Sequence, residues 1–417
     1  MAEIEITAMT LGPYGLGHRA GKTVMVPGAA PGDRLEVAIR AERRDYSLGA
    51  LERIIASGPA RRAPPCPYLP RCGGCDWQQI DYPAQVRLKS ELIARELGRA
   101  LGIEIDPAGL VEPAPAEFGY RARIRLKVGR GGALGFYELG SNELVAIEHC
   151  LLAEAGLAMP SILARVLARD LSEIETVAAG NNRTVLVGYL KKAAGAEQLA
   201  RARRVLEADP RIAGIVLRAG EYRAVVGEVE IEIEIEPGVT LRGGADLFSQ
   251  VNRAQNLRLI AEVMAMAAPA PGMKLLDLFC GAGNFSIPAA RRGAHVTGVD
   301  ADAPAAAAAE CNAHRMRLGD AQFAAMQAHE FAAFLKRARF RPDAVILDPP
   351  RTGAAELVEP ISKLTPASVV YVSCDAATLA RDLRAFGVRG YKLSRVRGFD
   401  FFPNTHHAEI AAHAVLT

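Results

Sequence analysis

The sequence lacks several features that define common classes of protein. No apolar run free of charge is long enough to cross a bilayer, so we expect no membrane partner. The opening residues, MAEIEITAMTLGPYG, contain acids where a secretory signal has a basic segment, and no apolar block follows. These absences predict a cytoplasmic location. Half of the 417 residues are hydrophobic, which excludes global disorder and predicts a substantial core.

Neither positive nor negative charge predominates, and disulfides are not expected. Lys and Arg number 50 against 47 Asp and Glu, a balance that neither supports nor excludes nucleic-acid binding. A reducing compartment keeps thiols free, so clustered cysteines among the seven are candidate metal ligands or nucleophiles.

The length predicts two or three domains, which we place at residues 1–58, 59–242 and 243–417. Short β-rich stretches in the first predict a small barrel. The second is mixed α+β, with a helix over PAQVRLKSELIARELGRALG and an alternating strand at Val229–Glu236. In the third, strands, glycine turns and helices alternate, which predicts an α/β fold with a doubly wound parallel sheet. Two final apolar stretches without a helix between them predict a closing antiparallel pair.

A glycine loop follows the first strand predicted in the third domain. The segment from Asp277 to Asn284, DLFCGAGN, also opens a helix, so its backbone can approach a ligand. Asp300 ends the next predicted strand, where a carboxylate can hold two ribose hydroxyls. The loop lacks the third glycine of the dinucleotide fingerprint, and this favours S-adenosylmethionine (SAM) over NAD. The alternative for Asp277 is a structural cap of the loop amides.

Two further segments fall at the same edge of the predicted sheet. Asp348 is followed by two prolines, which hold a rigid turn, and then by Arg351. Methyltransferases that act on exocyclic amines place an aromatic residue where Arg351 stands, so that chemistry is disfavoured. A plain structural turn is the alternative. Cys374 ends the following predicted strand, and by itself it would be read as a small packing residue.

The combination of a cysteine and a base at this edge suits methylation of pyrimidine C5. Addition of a thiolate at C6 turns C5 into an enolate carbon that can attack the methyl group of SAM. A base must then remove the C5 proton before the thiolate can leave. Glu409, at the start of the last predicted strand, is the candidate, with a solvated strand acid as the alternative. We expect His406 and His407 to pack or form hydrogen bonds.

Four ordered motifs, DLFCGAGNFS, LDPPRTG, YVSCDAATLARDL and FPNTHHAE, resemble those of the RNA 5-methyluridine methyltransferase family. The resemblance implies a class I methyltransferase fold, with Cys374 as the nucleophile and Glu409 as the base. Asp300 and Asp375 depart from the family's usual Glu and Asn. The implied SAM-binding set, including the two loop glycines, is Gln250, Asn252, Phe279, Gly281, Gly283, Asn284, Asp300, Gln327 and Asp348.

A cysteine cluster begins the second domain. Cys66, Cys72 and Cys75 lie in or next to a proline-rich loop that can wrap a metal, and Cys150 is the available fourth thiolate. Four thiolates suit zinc and iron–sulfur clusters alike, so spacing leaves both open, as well as unliganded cysteines. The segment CPYLPRCGGCDWQQ resembles a branch of the same family that carries a 4Fe–4S cluster, and the resemblance implies that cofactor. Cys280 and Cys311 are expected to pack.

Two segments are candidate RNA contacts. Arg121, Arg123, Arg125 and Lys127 fall on one face of a predicted strand, which suits a phosphate backbone, although an ordinary solvated face is the alternative. The segment PYGLGHRAGK resembles a TRAM domain, a small RNA-binding barrel. In the family, the branch with TRAM and cluster acts on large-subunit ribosomal RNA. A monomer acting on 23S rRNA is therefore expected, with tRNA methylation or a catalytically inert RNA-binding iron–sulfur protein as alternatives.

Overall fold

The computed structural model describes residues 1–337 and 340–417. Six short strands begin the chain: β1 (Ala2–Glu5), β2 (Ala8–Met9), β3 (Tyr14–Arg19), β4 (Lys22–Pro27), β5 (Arg34–Glu42) and β6 (Tyr46–Ala56). They form one sheet in the order β1-β5-β6-β4-β3-β2. A Cβ at Gly17 would lie 2.5 Å from the carbonyl oxygen of Glu5, so glycine lets β3 approach β1 as the sheet curls. The short strands expected in residues 1–58 are present.

The middle of the chain holds a second sheet. Its elements are α1 (Tyr82–Leu101), β7 (Val111–Glu112), β8 (Arg123–Val128), a 3₁₀ turn (Arg130–Gly132), β9 (Leu134–Tyr137), β10 (Leu144–Ala146), α2 (Ser161–Val166), β11 (Leu171–Gly180), β12 (Arg183–Leu190), α3 (Ala196–Ala208), β13 (Ile212–Ala219), β14 (Tyr222–Gly227), β15 (Glu230–Glu236) and β16 (Val239–Gly244). The sheet order is β10-β9-β8-β11-β12-β13-β14, and β15 pairs with β16 alone. The alternating strand predicted at Val229–Glu236 is confirmed as β15.

The C-terminal part is doubly wound, as predicted. Its elements are α4 (Arg253–Ala267), β17 (Lys274–Leu278), α5 (Ser286–Arg291), β18 (His295–Asp300), α6 (Ala303–Arg315), β19 (Ala321–Ala325), α7 (Ala328–Arg337), β20 (Ala344–Leu347), α8 (Ala355–Leu364), β21 (Ser368–Ser373), α9 (Ala376–Gly387), β22 (Tyr391–Phe399) and β23 (Glu409–Leu416). The sheet order is β19-β18-β17-β20-β21-β23-β22-β7. The first five strands are parallel, and β23 and β22 form the expected antiparallel pair. The strand order reverses between β17 and β20, where such sheets bind ligands.

Helix α1 divides the predicted second domain. Asp81 caps its first turn and Gly102 ends it in the left-handed conformation, which confirms the predicted helix. Its apolar face, with Ile93 and Leu97, packs into the core of the C-terminal sheet, and β7 pairs with β22 at the edge of that sheet. The predicted unit 59–242 thus includes a segment, residues 82–112, that packs with the C-terminal sheet, because the partner of this amphipathic face lies hundreds of residues away. Neither α1 nor any other helix in the described ranges combines the length and apolar character that crossing a membrane requires.

The expectation of a free basic face on β8 is wrong. Neighbouring strand β11 places Glu173 opposite Lys127 and Glu175 opposite Arg125. Glu175 pairs with both Arg123 and Arg125, and Glu173 pairs with Lys127. The two acids therefore pair with all three cations, because an acidic strand that the local sequence does not identify lies beside them.

Arg123 is a buried anchor rather than a phosphate contact. Its side chain is 6% exposed, and it donates to Glu175 at 2.8 Å. It also donates to the carbonyl oxygen of Leu247 at 2.7 Å and to Ser249 Oγ at 2.9 Å. The guanidinium thus fixes the segment that leads into the C-terminal sheet.

Replacing Arg123 by Ala should therefore destabilise the protein. The substitution leaves Glu175 buried without this partner, and breaking such a pair costs about 3–5 kcal/mol of unfolding free energy. Arg125→Ala is the matched control, because Arg125 is half exposed and exposed pairs contribute about 1 kcal/mol or less. Urea unfolding of both variants checks this, and equal losses would contradict the anchoring role.

Candidate active site

One cavity collects the main site residues that the sequence predicts. It has a volume of about 480 Å³ and lies beyond the carboxyl ends of β17 and β20, at the reversal of strand order. Its lining includes the expected residues Gln250, Phe279, Gly281, Asn284, Asp300, Asp348, Cys374 and Glu409. The predicted cofactor-binding and reacting groups therefore share one space.

The glycine loop is held in an unusual conformation by Asp300. Phe279 and Gly281 adopt positive φ values of 65° and 54°, which is costly for Phe279. The Asp300 carboxylate accepts the Gly281 N–H at 2.8 Å and, through its other oxygen, the Asp302 N–H at 2.8 Å. Asp300 thus shapes the loop while lining the cavity.

Two other residues of the loop have structural contacts. Gly283 does not line the cavity, and a Cβ there would lie 2.8 Å from Ile287, so glycine at this position lets the loop pack closely on α5. Asp277 is fully buried and accepts a hydrogen bond from Ser286 Oγ. Burial raises the pKa of Asp277 to about 7. The structural alternative for Asp277 therefore fits.

Two predicted SAM contacts lie outside this cavity. Asn252 is 1% exposed, caps α4 by accepting from Gln255 N at 3.2 Å, and donates to the Phe401 carbonyl. Gln327 is exposed at the start of α7, and its N–H donates to Glu330. Neither lines the cavity, so the structure does not bring these two predicted contacts together with the others. Sequence reasoning missed Asn256, whose side-chain amide exchanges hydrogen bonds of 2.9 and 3.0 Å with that of Asn284.

Strand direction brings Cys374 and Glu409 together. Cys374 follows the carboxyl end of β21, and Asp375 accepts the Thr378 N–H at 2.8 Å to start α9 directly afterwards. Strand β23 runs antiparallel to β21 and pairs Ile410 with Ser373. The amino end of β23, where Glu409 lies, therefore meets the carboxyl end of β21.

Burial dominates the acid–base properties of this pair. It raises the pKa of Cys374 to about 11, and the charge of Glu409 adds to that rise. The pKa of Glu409, which is 6% exposed, also rises well above its ordinary value through burial and then the charge of Asp348. Burial likewise raises the pKa of Asp348 to about 7. Burial therefore increases the affinity of the Glu409 carboxylate for a proton.

Arg351 is the functional candidate that sequence reasoning passed over. It lines the cavity together with Cys374 and lies 3.4 Å from Nε2 of His407. Its charge lowers the pKa of both Cys374 and Glu409, against the larger effect of burial. Its position directly after the Pro-Pro turn is the sequence feature that could have identified it.

The two histidines form contacts, as expected. The Nδ1 atom of His406 lies 2.5 Å from an Asp76 carboxylate oxygen. His407 packs against Phe402, and burial followed by the charge of His406 lowers the pKa of His407 to about 3. His407 therefore stays neutral near neutral pH.

The four predicted cysteine ligands surround a second, smaller cavity. Cys66, Cys72, Cys75 and Cys150 line it together with Arg121. Burial raises the pKa of Cys75 to about 12. The Nε atom of Arg121 is buried there without a hydrogen-bond partner. Arg121 therefore faces the cysteines, and its expected contact with RNA phosphate is corrected.

Comparisons with known proteins agree with this architecture. A family model described as tRNA (Uracil-5-)-methyltransferase matches residues 229–414. The 23S rRNA (uracil(1939)-C(5))-methyltransferase RlmD of Pectobacterium atrosepticum is 32% identical over 98% of this chain and 93% of its own length. The enzyme with the same name from Pseudomonas entomophila is 35% identical over 95% and 90%. The fold is shared with the Pyrococcus abyssi tRNA (uracil-54, C5)-methyltransferase in complex with S-adenosyl-L-homocysteine, with a TM-score of 0.75, 23% identity and coverage of 99% and 100%.

A doubly wound sheet with a glycine loop and an acid at its switch point is the architecture of a class I methyltransferase. With relatives above 30% identity along nearly its whole length, the chain belongs to the RNA uracil-C5 methyltransferase family.

The pKa of Cys374 predicts how its reactivity depends on pH. Only the thiolate is alkylated, so in the free protein the rate of Cys374 alkylation by iodoacetamide should rise about tenfold per pH unit between pH 7 and 10. Arg351→Gln should lower the rate at each pH, because Arg351 lowers this pKa, and Arg351→Lys should restore part of it. Peptide mass spectrometry separates Cys374 from exposed Cys311. A rate that is flat over this range, or unchanged in Arg351→Gln, would contradict the assignment.

Proposed function

We propose that this protein transfers a methyl group from SAM to C5 of a uridine in 23S rRNA, through a covalent bond between Cys374 and C6. The observation that carries the proposal is the single cavity containing Cys374, Glu409 and the residues around the glycine loop. A catalytically inert RNA-binding protein would not need a nucleophile and a buried base side by side.

The residues suit each step of this reaction. SAM supplies an electrophilic methyl group on a sulfonium. The Cys374 sulfur adds to C6 of the uracil, and the electron pair of the C5–C6 double bond moves toward the O4 carbonyl as an enolate. C5 then forms its bond to the methyl carbon while the bond from that carbon to the sulfonium sulfur breaks, and its electron pair stays on the sulfur of the departing S-adenosylhomocysteine. The Glu409 carboxylate takes the C5 proton, the C5–C6 double bond re-forms, and the C6–S bond breaks with its electron pair returning to sulfur.

Arg351 and Glu409 serve opposite needs of this sequence. Arg351 stabilises the Cys374 thiolate both before addition and after elimination, because its charge lowers the pKa of that thiol. Burial raises the pKa of Glu409, which strengthens it as an acceptor of the weakly acidic C5 proton. The cation therefore favours the thiolate form of Cys374, and desolvation favours proton uptake by Glu409.

The preference for 23S rRNA rests on the relatives along the whole chain. The enzymes from Pectobacterium and Pseudomonas carry that substrate in their names, and the similarity includes the N-terminal sheet and the cysteine segment. The curled sheet of residues 2–56 supports the TRAM-like interpretation, and exposed Arg43 and Arg44 between β5 and β6 offer cations for phosphate. A tRNA substrate remains the alternative that the same chemistry would serve.

We infer that the four cysteines hold a 4Fe–4S cluster, as the resemblance of their segment implies. Cys66, Cys72, Cys75 and Cys150 line one cavity together with Arg121, whose buried Nε atom has no hydrogen-bond partner and whose charge complements a set of thiolates. In the described part of the chain, no three cysteine, histidine or acidic side chains are placed to hold one metal ion. Four thiolates are also the ligand set of structural zinc, so zinc is the alternative that the same residues would serve.

Variants of the two reacting residues should fail at different steps. Cys374→Ala cannot form the C6 bond, so it should bind SAM and RNA but give neither methylated RNA nor a covalent species. Glu409→Gln can add and methylate, but elimination is blocked without removal of the C5 proton. Its turnover should fall on the order of a hundredfold or more, and a protein–RNA conjugate should accumulate.

Denaturing electrophoresis with methyl-labelled SAM and a 23S rRNA transcript measures both outcomes. A Cys374→Ala enzyme with wild-type turnover would rule out the covalent mechanism. Full turnover by Glu409→Gln without a conjugate would assign the base elsewhere.

The metal assignment has its own test. Protein purified without oxygen should be brown and contain iron and acid-labile sulfide, and Cys72→Ser should lose both, because three remaining thiolates hold a cluster weakly. Cys311→Ser is the matched control, since Cys311 is exposed and lies outside the cysteine cavity. Zinc in a colourless wild-type preparation would show that the cluster assignment is wrong.

A further inference from the structure

The segment leading into Glu409 is held by the cysteine loop. Residues 400–408 connect β22 to β23, and Asn404 in the middle is fully buried with a positive φ of 69°. Its carbonyl oxygen accepts the N–H groups of Asp76 at 3.2 Å and Trp77 at 3.1 Å. Its own N–H donates to Gln85 Oε1 at 2.8 Å. An asparagine in this conformation, bound by distant groups, depends on them for its position.

Asp76 makes a second, two-pronged contact with the same segment. One oxygen of its carboxylate accepts the backbone N–H of His406 at 3.0 Å, and the other lies 2.5 Å from Nδ1 of His406. Both side chains are less than one-fifth exposed. Asp76 directly follows Cys75, and His406 is three residues before Glu409. Asp76 thus connects the end of the cysteine loop to the segment that precedes the candidate base, Glu409.

The held segment also borders the nucleophile. His406 and His407 line a cavity of about 150 Å³ together with Cys374 and Arg351. This cavity and the larger one share Cys374 and Arg351. A shift of residues 404–408 would therefore move Glu409 relative to Cys374 and to any base bonded to it.

We propose that Asp76 is a positioning residue that couples the order of the cysteine loop to the placement of Glu409 for removal of the C5 proton. The inference rests on the proposed function. It would give a group held by the four cysteines a route to the chemistry, because Asp76 directly follows Cys75.

The coupling acts on one step of the reaction. Bond formation between Cys374 and C6 and transfer of the methyl group need Cys374, which lies between β21 and α9, outside the held segment. Transfer of the C5 proton to Glu409, followed by cleavage of the C6–S bond, needs the end of that segment. Loss of the Asp76 contacts should therefore slow elimination more than methyl transfer.

A 23S rRNA transcript made with 5-fluorouridine separates the two steps. After methylation, C5 of this substrate carries fluorine and methyl but no proton, so the conjugate with Cys374 forms without any need for the base. We expect iron-replete Asp76→Ala to form this conjugate at the wild-type rate. On the ordinary uridine transcript its turnover should fall tenfold to a hundredfold, about the cost of misplacing a catalytic group by 1 Å, and methyl-labelled conjugate should build up.

Two further variants separate positioning from stability. Asp76→Asn keeps one oxygen that can accept the His406 N–H, so its turnover should lie between those of Asp76→Ala and wild type. Glu148→Ala is the matched control, because Glu148 is an exposed acid two residues before Cys150. It should behave as wild type at equal iron content. Amide hydrogen exchange should be faster across residues 404–408 in Asp76→Ala and unchanged in Glu148→Ala.

Each contrary result has a distinct meaning. If Asp76→Ala turns over uridine RNA like wild type, or if its rates on both transcripts fall equally, the positioning role is wrong. If wild-type protein forms no conjugate with the fluorinated transcript, the proposed covalent reaction itself is wrong.

Discussion

The site depends on one antiparallel pairing within an otherwise parallel region of the sheet. In a run of parallel strands, carboxyl ends alone meet at the ligand edge, and an amino end lies on the far side. Because β23 runs against β21, its first residue reaches that edge, and Glu409 lies beside Cys374. Reversing β23 would leave the cavity with a nucleophile and no base. The two final strands are therefore part of the reaction chemistry as well as the closure of the sheet.

Burial at this edge sets the electrostatics. Asp348 and Glu409 are desolvated in the same cavity, and each pKa rises because a buried carboxylate loses its hydration. The charge of Arg351 lowers the pKa of Glu409 and of Cys374, and Arg351 is exposed at the mouth of the cavity. A bound RNA base would exclude water from this mouth and strengthen the effect of Arg351 on the thiol. Substrate binding would thus favour the thiolate form of Cys374.

Features that depend on short-range sequence patterns are predicted well. Features that depend on packing between distant segments are predicted poorly. The glycine loop, the turn after Asp348 and the closing strand pair are local signals, and the doubly wound sheet brings them to one edge as expected. The strand of Arg123, Arg125 and Lys127 is also local, but its charge depends on Glu173 and Glu175, fifty residues away in the sequence. A row of cations cannot be assigned to a ligand until its neighbouring strand is known. The same limit hid the partner of α1.

Contacts across the predicted domain boundaries explain why the parts would act together. Lys89 on α1 is 1% exposed and donates to Asp400 at 2.6 Å, where β22 enters the segment before Glu409. Arg62, from the stretch before the cysteines, donates to Asn404 Oδ1 at 2.9 Å. Tyr120 Oη, from the other side of the same region, donates to the Pro403 carbonyl at 3.1 Å. Because each contact is a hydrogen bond that is buried or partly buried, separating the parts would lose about 0.5–1.5 kcal/mol for each one. The segment that precedes Glu409 is therefore held by the N-terminal half of the chain. The C-terminal sheet alone does not contain all the contacts that position Glu409.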